Sequence, residues 1–162
     1  MGWWSCTIMG GDTPLDAQGD MQDAVGLRTE ELYPDSNDER VSDEYIHEQI
    51  KANVPAMIDV ALNNSDNSWY PGVYKQVLGV MVMSAGCDPA DEDVKLALKI
   101  AKEGAEDDDW DDDERREYIA AFIKQLDEYD GTPQEPKSEG LFEKVMEAVD
   151  EGNTGLVNKQ YT

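Results

Sequence analysis

The residues of this chain that could do chemistry are mostly carboxylates. Between Glu103 and Glu114 stand Glu103, Glu106, Asp107, Asp108, Asp109, Asp111, Asp112, Asp113 and Glu114, nine acids in twelve positions with no base among them. Trp110 sits in the middle of the run, either as an anchor for it or as a contact residue. A second, smaller cluster is Asp91, Glu92 and Asp93. Like charges this close repel within a Debye length of about 8 Å. A helix start accounts for one or two of them, because the dipole favours acids there. Nine is more than a helix start requires.

Calcium does not suit the spacing. Counted from Asp107, the loop of an EF-hand would need glycine at its sixth position and a bidentate glutamate at its twelfth. The chain places Asp112 and Tyr118 there. Adaptation to high salt is disfavoured by nine lysines against four arginines. Enzyme constellations are sparse. The one histidine, His47, forms Glu-x-x-His with Glu44, but a di-iron bundle needs two such pairs. No Gly-x-Ser-x-Gly elbow supports a serine nucleophile. Gly10-Gly11-Asp12 lacks the Gly-Lys-Ser/Thr ending of a phosphate loop. Cys6 and Cys87 are too few for a disulfide scaffold and are expected as free thiols of a reducing cytoplasm. No catalytic residue, metal or cofactor is expected.

The elements that must hold these acids read as helices. Ser42 is a good N-cap, and Ile46, Ile50, Val54, Met57, Ile58, Ala61 and Leu62 repeat at helical spacing, with Pro55 set to kink or split the run. A second stripe runs from Val73 to Ala85, stopped by Gly86. Asp88-Pro89 is expected to open the next helix and Gly104 to end it. Tyr118, Ile119, Phe122, Ile123, Leu126 and Tyr129 form another stripe, closed by Gly131. Asp16 to Val25 is expected as a short helix, and Ser138 caps a last one with Leu141, Phe142, Val145, Met146 and Val149. The first fourteen residues read as a short strand or an ordered loop. The expected fold is all-α: one compact domain over residues 1–152, five or six helices with an irregular N-terminal segment, and a mobile tail over 153–162.

The chain has 162 residues and a net charge of −24. Residues 88–131 hold −11 of it, whereas residues 64–87 are neutral, which places the Val73–Ala85 helix at the centre. Such a charge opposes direct binding to nucleic-acid phosphates or anionic lipid, and no apolar run is long enough to span a membrane.

The opening, Met1-Gly2-x-Trp4 and then Gly10-Gly11-Asp12-Thr13-Pro14-Leu15-Asp16, resembles the start of a family of small bacterial and phage proteins, a domain of unknown function. The resemblance covers about the first twenty residues, marks Trp4, Asp12 and Asp16 as its signature, and implies no activity. The residues themselves read more simply: Trp4 anchors the segment, and Asp12 or Asp16 caps the first helix. In composition the chain is similar to small, acidic, helix-rich phage proteins that resemble duplex DNA to bacterial defence enzymes.

The expectation that follows is a non-catalytic acidic inhibitor in the host cytoplasm. Its two clusters would imitate phosphates against a basic, nucleic-acid-binding protein surface, with Trp110 as a contact. The alternatives are an immunity protein that neutralises a basic toxin, and a helical interaction or assembly protein. The oligomeric state is open, a homodimer among the options.

Overall fold

In the computed structural model, residues 7–32, 34, 40–64 and 72–136 are described. Trp3, Trp4, Cys6, the expected helix from Ser138 and the tail lie outside them. The described residues form an all-α domain of seven helices: α1 (Asp12–Ala24), α2 (Thr29–Leu32), α3 (Asp43–Ala52), α4 (Val54–Asn63), α5 (Val73–Ala85), α6 (Glu92–Glu106) and α7 (Asp113–Glu128). None of these helices is long and apolar enough to cross a membrane.

α5 is the axis. It buries every residue from Gln76 to Met83, and α1, α3, α4 and α6 pack around it. Its one charged residue, Lys75, stays in the half-buried first turn, and from Gln76 onward the helix carries no charge, since an unpaired charge there would be stripped of water. One apolar cluster joins α1, α3 and α4 to α5 through Met21, Ile50, Met57, Val77 and Leu78. A second joins α7 to α5 and α6 through Val80, Met83, Ala101, Phe122 and Leu126, with Ile8 closing over it. α5 and α6 approach closely at Gly79, where a β-carbon would stand 2.6 Å from that of Ala101.

Local signals explain most boundaries. Ser42 Oγ accepts from the Tyr45 amide at 3.1 Å and starts α3. The long stripe splits at Asn53, with Pro55 in the first turn of α4, where its missing N–H would have no partner anyway. Gly86 ends α5 in the left-handed conformation at φ +71.

Three expectations need correction, and one helix comes unannounced. Gly11, and not Asp12 or Asp16, is the N-cap of α1, and no side chain caps it. Asp88-Pro89 forms a turn in which Asp88 accepts from the Ala90 amide, and Asp91 caps α6 instead. Gly104 does not stop α6; it lies inside it, because a β-carbon there would come within 2.5 Å of Lys75 Cβ and 2.7 Å of the Gly72 carbonyl oxygen. The short α2 follows Arg28 with no periodic signal to announce it. The segment before α1 is an ordered turn over Thr7–Gly10 that buries Ile8.

Candidate acidic recognition surface

The acid run joins α6 to α7, and one of its members faces inward. The Asp108 side chain is 7% exposed and meets Arg115, 1% exposed, with Nη2 at 2.6 Å from Oδ2. Arg115 Nε also donates to Oδ2 at 3.1 Å, Nη2 to Gln76 Oε1 at 3.1 Å, and Nη1 to the Thr7 carbonyl at 2.9 Å. Gln76 Nε2 donates to Asp108 Oδ2 and to the Gly104 carbonyl, both at 3.1 Å. The Trp110 amide donates to Asp108 Oδ1 at 3.2 Å, and the half-buried Trp110 ring lies 5.1 Å from the guanidinium carbon. The N-terminal turn, α5, the end of α6 and the start of α7 are thereby tied at one point.

A guanidinium suits that knot because it carries several donors in a fixed plane. Burying the pair is expensive in solvation, so its effect is to fix geometry more than to add net stability. Arg115 and Gln76 carry this arrangement, and neither stands among the residues singled out from the sequence. A signal existed: Arg115 lies seven residues before Phe122 and eleven before Leu126, on the buried stripe of α7.

The remaining acids divide by position. Asp112 caps α7, accepting from the Arg115 amide at 3.1 Å. Asp113 and Glu114 occupy the first turn of α7, where the helix dipole favours them. Arg116 bridges the exposed Asp111, at 3.0 Å, and Asp113. Glu103, Glu106, Asp107 and Asp109 face solvent. The first three lie at the C-terminal end of α6, whose last turn holds no base and whose free carbonyls repel negative charge. Helix stability does not explain acids there. Residues 103–116 retain a net charge of −7.

Asp91, Glu92 and Asp93 lie at the other end of α6. Asp91 accepts from the amides of Asp93 at 2.9 Å and Val94 at 3.4 Å. Glu92 faces Lys95 at 3.6 Å, and Asp93 is exposed in the first turn. From Asp91 to Asp107 the helix advances about 24 Å at 1.5 Å per residue. Lys95, Lys99 and Lys102 lie on α6 between the two groups, and Lys102 reaches Asp127 at 3.0 Å. The two clusters are separate poles, with a basic stretch between them.

Comparison with family models, with curated proteins and with solved structures finds no match to this chain.

The other chemistry-bearing residues lie apart from the acid run. His47 is half-buried on α3, one turn after the exposed Glu44. Cys87 is a buried free thiol, pushed up to about 11 by burial. Tyr129 donates to the Cys87 carbonyl at 2.6 Å, and burial raises its phenol well above the usual range. Among the described residues no three His, Cys, Asp or Glu side chains converge as metal ligands.

Proposed function

We propose that this protein is a non-catalytic, phage-borne inhibitor that imitates DNA and occupies the phosphate-binding surface of a bacterial defence protein. The observation that carries the reading is the set of solvent-facing carboxylates at Glu103, Glu106, Asp107 and Asp109 on a segment clamped at Asp108. Duplex DNA presents one negative charge per roughly 1.7 Å of axis, and a protein that binds it aligns cations to match. Carboxylates held in place meet those cations without the ordering penalty of a loose acidic tail. A net charge of −24 would speed the encounter and make it salt-sensitive. Acids at the C-terminal end of α6 oppose the helix dipole, which is understandable if they are kept for recognition.

The test is capture of proteins from a bacterial lysate on the immobilised full chain, at rising salt and with or without excess duplex DNA. The expected result is retention of a nucleic-acid-binding protein that DNA and salt both release. Retention should be lost when Glu103, Glu106, Asp107 and Asp109 become amides. Binding indifferent to salt, to DNA and to those four changes would overturn the reading.

A further inference from the structure

The acids of α1 stand on a different surface and form a groove. Asp16, Asp20 and Asp23 recur at helical spacing on one side of α1, and the helix contains no base. They line an open cavity of about 630 Å³ between α1, the segment leading into α2, and the first turn of α5. Leu27 and Leu32 lie buried beneath it, and Leu15 is left 43% exposed at the rim. The Tyr74 hydroxyl donates to Asp20 Oδ2 at 2.8 Å and holds that carboxylate in place.

Gly19 adds an observation independent of charge. It stands in the interior of α1 and in the wall of the groove, yet a β-carbon built on it would meet nothing within 4 Å among the described residues. Gly79 and Gly104 are glycine because neighbouring groups press on them. Among the described residues nothing asks for glycine at position 19, where it weakens the helix. A bare backbone facing open space suits the close approach of something from outside.

The geometry points to a groove that binds a cationic amphipathic protein segment, its arginine or lysine heads on Asp16, Asp20 and Asp23 and an apolar side chain seated beside Leu15 above Gly19. Three features select this occupant. The carboxylates are strung along about 10 Å of helix, which suits a chain of cations, and they do not converge on one ion. A nucleic acid would be repelled. Long basic side chains lay apolar stems on surfaces such as this while their heads reach carboxylates. The inference rests on α1 and stands whether or not the Asp107–Glu114 run imitates phosphates.

The probe is a fluorescein-labelled helical peptide of arginine, leucine and alanine, titrated into the full chain beside a version with serine in place of leucine. The leucine peptide should bind the more tightly and shift the amide resonances of Gly19 and Tyr74. Gly19→Gln fills the open space with a better helix former. It should weaken binding by about tenfold, the scale of one good contact, while melting no lower than the parent. Asp16→Asn with Asp23→Asn should weaken it similarly. The triple change Glu106→Gln, Asp107→Asn, Asp109→Asn should leave peptide binding in place, so failure of the groove and failure of the DNA-like run are distinguishable. Equal affinity for the serine peptide, or an unaltered affinity in Gly19→Gln, would show a diffuse field at work and overturn the groove.

Discussion

Asp108 and Arg115 meet at 2.6 Å with both side chains withdrawn from water, one just beyond the end of α6 and the other in the first turn of α7. The pair converts a run of mutually repelling acids into a fixed connection. It does so because Arg115 also holds the Thr7 carbonyl and Gln76, so the loop is fastened to the core as well as to itself.

Removing one partner should therefore be severe. Arg115→Ala leaves a buried carboxylate without its cation, and the expected loss is about 3–5 kcal/mol. Arg115→Lys should recover little, since a point charge cannot serve Asp108, Gln76 and Thr7 together. Urea unfolding followed by circular dichroism measures both. An Arg115→Ala protein within about 1 kcal/mol of the parent, below the range for a broken buried pair, would deny the clamp its role.

The acids at the C-terminal end of α6 predict the opposite sign. Glu103→Gln, Glu106→Gln and Asp107→Asn each relieve repulsion with the helix carbonyls and should stabilise by about 0.3–1 kcal/mol at low salt. Screening should shrink the gain as salt rises. Asp112→Ala, by contrast, removes the cap of α7 and should cost about 1 kcal/mol. Calorimetry on the four variants at two ionic strengths separates these outcomes, and destabilisation by the first three would refute the dipole argument.

Alkaline pH should loosen the fold. Burial pushes the Cys87 thiol from its ordinary 9.0 to about 11, and burial together with Asp20 pushes the Tyr74 phenol from 10.0 to about 12. In both cases the unfolded group gives up its proton first, so stability is complete below about pH 9 and declines as pH climbs toward 12. In a Cys6→Ser background, native Cys87 should resist iodoacetamide near pH 8 and react once urea unfolds the chain. A urea midpoint equal near pH 8 and near pH 10.5 would contradict the linkage.

Much of this architecture was legible residue by residue. Ser42 and Gly86 act where their local chemistry says they should, and the apolar Val73–Ala85 stretch, uncharged from Gln76 onward, lies at the centre because buried charge is penalised. Gly104 was not legible as a helix interior, since its reason is the approach of Lys75 and Gly72 from another helix, a contact with no local signature. Asp88-Pro89 matched a capping pattern, but Asp91 three residues later takes the role with two amides. In the acid run, composition marked the segment and could not tell which acid turns inward. That depends on Arg115, a charged residue on an otherwise apolar stripe and so easily taken for solvent-facing.

The unbroken helix α6 makes the molecule a ruler with a bearing. Each added residue turns one end against the other by about 100° and lengthens the span by about 1.5 Å. A single insertion near Lys99 would thus point the Asp91–Asp93 pole and the Asp107 pole in different directions without altering one charge, whereas two whole turns inserted there would keep their alignment and change only their separation.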